Sequence, residues 1–432
     1  MNARTIAAKV IARVFNGKSL AAELPKALKN CDVPNQALLK ELCFGTLRSH
    51  PNIKLIVDAL LTRPMRKKDI EIEALIYVGI YQLLIHNKPK YAIVDETVKA
   101  STMLRRDWAK SLVNAVLRNF LRKQNELEKK LCKNPAYTTM HPPWLIERLN
   151  SAWPEALVSE ILAANNERAP MTLRVNSQKI SRDNYLLKLQ KAGIKVEITS
   201  ISDYGLMLNL PLDVWKLPGF ANGECSVQDE AAQLAASLLR PSPGERILDA
   251  CSAPGGKTGH LIELQPKLKA LVALDQDPKR INLVKENLER LSIKAQLKVA
   301  DATLTDTWWD GIFFDKVLID APCSASGVIR RHPDIKILRN PSDIDKLRQT
   351  QLKLLNRVWE VLKPGGELLY VTCSVFSEEN DQVVEDFFKS CCDAQVEHIN
   401  CGWGRSTKFG IQLFPTNNSH DGFYYARLSK LL

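Results

Sequence analysis

The sequence is short of the features that would place a chain in a membrane, outside the cell or around a metal. No apolar run reaches the ~18 residues that a membrane helix needs. Arg4, Lys9, Arg13 and Lys18 interrupt the N-terminus, so no apolar core precedes a cleavage site and no secretory signal is expected. Ten cysteines are present, yet none form a C-x-x-C pair, and only Cys391 and Cys392 are adjacent. That spacing excludes the common zinc and dithiol motifs. It points to reduced thiols in a cytoplasmic protein without a bound metal. The two commonest nucleotide loops are also missing. There is no G-x-G-x-x-G, and Cys251 stands where a phosphate loop would need glycine ahead of Gly256-Lys257-Thr258. Acidic residues are scarce in the first third. Residues 1–135 hold 25 Lys and Arg against 12 Asp and Glu, a net of +13, while the other 297 hold 35 against 36. A polyanion such as nucleic acid is the partner that this asymmetry implies.

What is present divides the chain into three. Residues 1–133 carry apolar positions at helical spacing: Ile6, Val10, Ile11 and Val14, then Leu38, Leu39, Leu42 and Cys43, then Ile53, Ile56, Val57 and Leu60, then Leu112, Val113, Val116, Leu117 and Phe120. Pro25, Pro34, Pro51, Pro64 and Pro89 read as punctuation between helices. An all-α bundle is expected, with Arg63, Arg66, Lys67, Lys68, Arg105, Arg106, Arg118, Arg122 and Lys123 outside. The stretch 125–143 reads as a linker. Residues 140–235 read as a small α+β domain. From residue 236 to 432, strands and helices alternate, with strands over Arg246–Asp249, Ala270–Asp275, Ala295–Ala300, Lys316–Asp320 and Glu367–Thr372. Alternation of this kind predicts an α/β domain built on a parallel sheet covered on both faces.

The chemistry gathers at the carboxyl ends of those strands, where open parallel sheets bind ligands. Ser252-Ala253-Pro254-Gly255-Gly256-Lys257-Thr258 follows the first strand and opens a helix. Small residues and free helix N–H groups let a ligand approach the backbone. Asp275, Asp301 and Asp320 end or follow three further strands. An acidic side chain in the first position accepts from ribose hydroxyls, and one in the second from an adenine amino group. Without a second phosphate-binding feature, the loop suits a nucleoside with an uncharged or zwitterionic tail, such as S-adenosylmethionine. Two thiols, Cys323 in Asp320-Ala321-Pro322-Cys323-Ser324 and Cys373 in Thr372-Cys373-Ser374, lie just past neighbouring strand-like runs. A paired arrangement suits covalent catalysis, with one group attacking and the other handling a proton. The residues alone leave open which thiol does which. Arg330, Arg331 and His332 follow Cys323 and are candidates for holding RNA phosphates.

These motifs carry a resemblance. Ala253-Pro254-Gly255-Gly256-Lys257-Thr258, Asp320-Ala321-Pro322-Cys323-Ser324, Gly327-Val328-Ile329-Arg330-Arg331-His332-Pro333-Asp334 and Tyr370-Val371-Thr372-Cys373-Ser374 resemble the bacterial Sun/Fmu family of 16S ribosomal RNA (cytosine-5)-methyltransferases. Ser226-Val227-Gln228-Asp229 and His420-Asp421-Gly422-Phe423-Tyr424 add to the match. Glu41-Leu42-Cys43-Phe44-Gly45-Thr46-Leu47-Arg48 and Leu112-Val113-Asn114-Ala115-Val116-Leu117-Arg118 are similar to the RNA-binding bundle of the NusB family. The resemblance implies a Rossmann-like methyltransferase domain using S-adenosylmethionine, 16S rRNA as partner and 5-methylcytosine as product. It implies that Cys373 attacks C6, that Cys323 assists proton removal or release, and that Asp320 lies against the cytosine N3 edge. The family tends to have Ser-Gly-Thr-Gly where this chain has Ser324-Ala325-Ser326-Gly327. A monomer is expected, since no heptad or conspicuous exposed apolar stripe appears. A non-catalytic RNA clamp, or a methyltransferase on another RNA, is the alternative.

Overall fold

The computed structural model describes residues 2–85 and 88–432. They gather into two compact units, Met1–Glu167 with Ile329–Pro341, and Arg168–Val328 with Ser342–Leu432.

The first unit is helical. It comprises α1 (Ala3–Phe15), α2 (Leu20–Lys29), α3 (Val33–Arg48), α4 (His50–Leu60), α5 (Ile70–Ile85), α6 (Lys90–Met103), α7 (Ala109–Leu131), α8 (Pro135–Thr139), α9 (Pro143–Ala152) and α10 (Glu155–Asn166). Helix α1 starts where the Asn2 side chain accepts from the Arg4 N–H at 2.9 Å. Its apolar stripe, Ile6, Val10, Ile11 and Val14, is buried against Leu42, Leu75 and Leu117 in one core. The prolines only partly punctuate. Pro34 and Pro51 sit in the first turns of α3 and α4, where a missing N–H is harmless. Pro25 lies inside α2. The expected linker is also corrected, because α7 continues through Asn125 to Leu131, with Leu127 and Leu131 buried.

The second unit opens with β1 (Met171–Val175), α11 (Arg182–Lys191), β2 (Val196–Ile198), β3 (Gly205–Leu208) and β4 (Cys225–Val227), which form an antiparallel sheet in the order β2-β3-β1-β4. Then come α12 (Glu230–Leu239), β5 (Arg246–Asp249), α13 (Gly256–Leu264), β6 (Ala270–Asp275), α14 (Pro278–Leu291), β7 (Gln296–Val299) and β8 (Phe314–Asp320). After Val328 the chain contributes α15 (Ile335–Leu338) to the helical unit. It continues with α16 (Pro341–Trp359), β9 (Leu362–Thr372), α17 (Asp381–Ser390), β10 (Ala394–Glu397), β11 (Arg405–Ser406), β12 (Ile411–Leu413) and β13 (Phe423–Lys430). Strands β7, β6, β5, β8 and β9 are parallel neighbours. Successive strand residues point to opposite faces. Leu248, Val317, Leu368 and Tyr370 therefore enter a core with α16 and α17, while Ile247, Leu318, Leu369 and Val371 enter another with α12 and α13. The sheet is not wholly parallel. Strand β13 pairs antiparallel with β9 and carries β12 and β10 on its other side.

A buried charged group knits each unit internally. In the second, the Arg174 guanidinium on β1 makes a bidentate pair with Glu263 on α13, at 2.9 and 2.8 Å. In the first, the buried Lys336 ammonium of α15 donates to the carbonyls of Arg48 and Met140 and to Asn166 Oδ1, at 3.0, 2.9 and 2.7 Å. Burial pushes that ammonium well below its ordinary pKa.

Candidate active site

Strand β5 ends at Asp249, and the loop that follows reaches α13 through Gly255. Gly255 has φ of +94°, and a Cβ there would meet Val284 at 3.0 Å, so glycine is required twice over. Not every residue of this loop faces outward. Ser252 is buried, and its hydroxyl donates to the Leu274 carbonyl at 3.0 Å. Thr258 is buried too and donates to Asp249 Oδ2 at 2.7 Å. Both hydroxyls build the loop from within. Burial pushes the Asp249 carboxyl up to about 7, although the Thr258 hydroxyl opposes it. Ala253, Gly255 and Gly256 leave the backbone bare at the start of α13, where N–H groups lack helical partners.

Asp275 closes β6, the next parallel strand, and its carboxylate accepts from the Asp277 N–H at 3.0 Å and lies 3.2 Å from Arg280. Asp301 follows β7 and accepts from the Thr303 N–H at 2.9 Å. Asp320 closes β8 on the other side of β5. Its carboxylate accepts from the Lys257 ammonium at 2.6 Å. Burial alone would lower the Lys257 pKa, but the charge and hydrogen bond of Asp320, with the charges of Cys373 and Asp249, together outweigh it and hold the pKa above its ordinary value. The Cys373 sulfur also acts on that ammonium. Lys257 thus points to the end of β8, at Asp320.

The two thiols meet. Asp320 of β8 is in register with Val371 of β9, and the Ala321 N–H still donates to the Val371 carbonyl at 2.8 Å. The two chains therefore turn out of the sheet side by side, and Cys323 Sγ lies 3.3 Å from Cys373 Sγ. The Gly327 N–H donates to the Cys373 carbonyl at 2.9 Å, which ties the turns again. A Cβ at Gly327 would lie 2.3 Å from the Gly422 carbonyl oxygen, so only glycine fits. Ala325 adopts φ of +61° in the turn, at a cost of about 1 kcal/mol of backbone strain for a residue with a Cβ. Contact with Cys373, burial and the Glu379 charge together raise the Cys323 thiol well above its ordinary pKa.

The expected phosphate-binding triplet is divided. Arg330 is 1% exposed within the helical unit, where its carbonyl accepts from Arg48. Arg331 is half-buried, while His332 is exposed. A residue that sequence reasoning passes over, Glu379, is fully buried beside both cysteine turns. Its only signal is its position shortly after Cys373, in a Glu-Glu pair that reads as solvated charge.

The profile of the 16S rRNA methyltransferase RsmB/F family matches residues 236–429. The RsmF/B-like ferredoxin-like domain matches residues 141–215, and the NusB family matches residues 1–122. The ribosomal RNA small subunit methyltransferase B of Pseudomonas syringae pv. tomato is 46% identical, over 100% of this chain and 97% of that protein. This chain belongs to the RsmB/F family of rRNA methyltransferases. A probable methyltransferase B of Coxiella burnetii is 44% identical over the full length of both chains. The crystal structure of PH0851 has the same fold, with a TM-score of 0.84 at 24% identity, covering 100% of this chain and 99% of that one. A methyltransferase homologue from Pyrococcus horikoshii is 27% identical, with a TM-score of 0.57, over 67% of this chain and all of the other.

Membership makes the chain an S-adenosylmethionine-dependent methyltransferase with a NusB-like domain, a ferredoxin-like domain and a Rossmann-like domain. The residues present fit that cofactor. A bare glycine backbone caps a helix N-terminus, and a carboxylate stands at the next strand end.

Proposed function

We propose that this chain methylates C5 of a cytosine in 16S rRNA, with Cys373 as nucleophile. The observation that carries this reading is the 3.3 Å approach of two thiols from adjacent strand ends, beside Asp320 and Lys257. S-adenosylmethionine supplies a methyl group on a positive sulfur. Asp275 would accept from its ribose hydroxyls, Asp301 from its adenine amino group, and the 252–258 loop would hold the rest by backbone. Cytosine C5 is a weak nucleophile. Addition of the Cys373 thiolate at C6 makes the ring an enamine and turns C5 into a carbon that attacks. Asp320 lies against the N3 and amino edge and stabilises the adduct. Once C5 carries the methyl group, its proton must leave and the C6–S bond must break. Cys323, a protonated thiol 3.3 Å from Cys373, donates its proton to the departing Cys373 sulfur, and the Cys323 thiolate so formed takes the C5 proton, which returns both thiols.

The test is transfer of labelled methyl groups to unmodified 16S RNA, tRNA and other rRNA offered separately, with digestion to nucleosides. Label eluting as 5-methylcytidine from 16S RNA is expected. Label on another nucleoside would refute the C5 chemistry, and label confined to another RNA would refute the substrate.

The helical unit is the part that grips RNA on this reading. A cavity of about 430 Å³ is lined by Met65, Arg66, Lys68, Asp69, Arg106 and Trp108. Arg66, Lys68 and Arg106 are exposed and make no ion pair among the described residues, and Trp108 is 52% exposed. Cations beside an open indole suit a single strand, with phosphates on the charges and a base stacked on the ring. Replacing all three cations with alanine is expected to reduce the slope of log affinity against log salt by about 2, at roughly 0.7 for each phosphate no longer neutralised. Cofactor affinity should be retained. Filter binding across a salt series checks this, and an unchanged slope would remove the cavity from the RNA path.

A further inference from the structure

We infer that Glu379 is the positioning residue that clamps the Cys323 turn to the Cys373 turn. It lies in a short 3-10 turn, Ser377–Glu379, ahead of α17, and is fully buried. One carboxylate oxygen accepts from the Ser324 N–H at 2.7 Å and from Gln351 at 3.2 Å. The other accepts from the Ser324 hydroxyl at 2.5 Å and from the Ser374 hydroxyl at 2.6 Å. Ser324 follows one thiol and Ser374 the other, so a single side chain spans both turns. Gln351 extends the clamp, since its amide also donates to the Pro322 carbonyl at 2.9 Å. The Glu379 carbonyl accepts from the Tyr370 hydroxyl of β9 at 2.7 Å, which fixes the clamp's own height on the sheet.

An ionised carboxylate has acceptor sites for four donors and none to give, and four donors converge here. Burial raises the Glu379 pKa, and the Ser324, Ser374 and Gln351 donors oppose that rise. The carboxylate acts through the two serines, and its function is reach rather than reaction. This rests on the reading that both thiols serve one base, because only then does their relative placement set the rate.

The experiment separates reach from charge. Glu379→Gln keeps the length and loses the charge. Glu379→Asp keeps the charge and shortens the arm. The single-turnover rate of methyl transfer should fall about 100-fold in Glu379→Asp and in Glu379→Ala, as expected for a misplacement near 1 Å. It should stay within about threefold of wild type in Glu379→Gln, whose amide oxygen can accept from the Ser324 N–H and Gln351 while its NH2 faces two hydroxyls that can turn to accept. The KM for RNA and the affinity for S-adenosylmethionine should be unchanged in all three.

A second readout needs no methyl transfer. Diamide oxidises two thiols to a disulfide, taking up two electrons and two protons, and the Cys323–Cys373 bond is quantified by mass spectrometry. Its rate should be near wild type in Glu379→Gln and at least about tenfold slower in Glu379→Asp, because a shorter arm lets the two sulfurs drift apart. Equal losses in the Gln and Ala variants would overturn the inference in favour of a charge effect, as would wild-type behaviour in all. If Glu379→Ala does not fold, the Gln and Asp pair decides alone. The disulfide rate still reports on Glu379 if the roles assigned to the thiols prove wrong, so the two failures are distinguishable.

Discussion

Replacing Cys373 with alanine is expected to lower methyl transfer by about 10⁴-fold or more, the scale on which removal of a covalent nucleophile acts. The affinity for S-adenosylmethionine should stay within about twofold, since the cofactor loop leaves β5 and Cys373 leaves β9, on a different strand. Without the thiolate, C5 remains part of an aromatic ring and has no electron pair to offer. The β8–β9 register and the Gly327 tie do not use the Cys373 side chain, so the fold should melt at nearly the wild-type temperature. Radiolabel transfer alongside isothermal titration checks both halves. Turnover above one hundredth of wild type would exclude Cys373 as the nucleophile.

The second large effect is an accumulation. Cys323→Ala should form the Cys373–RNA bond and release it slowly, because the group that assists proton removal or thiol expulsion is gone. Turnover should fall by about 10²- to 10³-fold, within the range for a positioned acid or base. A protein–RNA band that survives denaturant should appear on a gel, and it should vanish in the Cys323→Ala, Cys373→Ala double variant. Contact with Cys373 and burial raise the Cys323 thiol above its ordinary pKa, which suits a group that carries a proton rather than one that attacks. A stable band in Cys373→Ala instead would exchange the two assignments.

Much of this site is legible in the sequence because strand ends are legible. Apolar runs such as Ala270–Asp275 and Arg246–Asp249 stop at a carboxylate, and β6 and β5 have those same limits. Chemistry at the ends of parallel strands shares one edge by topology, so chain order alone groups Cys323, Cys373 and Asp320. Strand β13 is harder to read. Phe423–Lys430 mixes charge with aromatics and finds its partner on β9, far back in the chain, a pairing no local pattern records. Arg330 misleads for a similar reason. Two adjacent arginines near a catalytic motif read as a phosphate clamp, and only packing reveals that the first is buried.

Composition and spacing by themselves determined the helical first third, its positive charge, the α/β alternation and the residue types that make covalent methyl transfer feasible. Those are local properties, written into periodicity and side-chain chemistry. The tertiary structure alone decided the 3.3 Å approach of the thiols, the allocation of residues 329–341 to the helical unit, and the burial of Glu379 between two turns. Each depends on which distant segments share a desolvated space. Desolvation turns a commonplace glutamate into a clamp, and contact with Cys373 together with desolvation raises the Cys323 thiol.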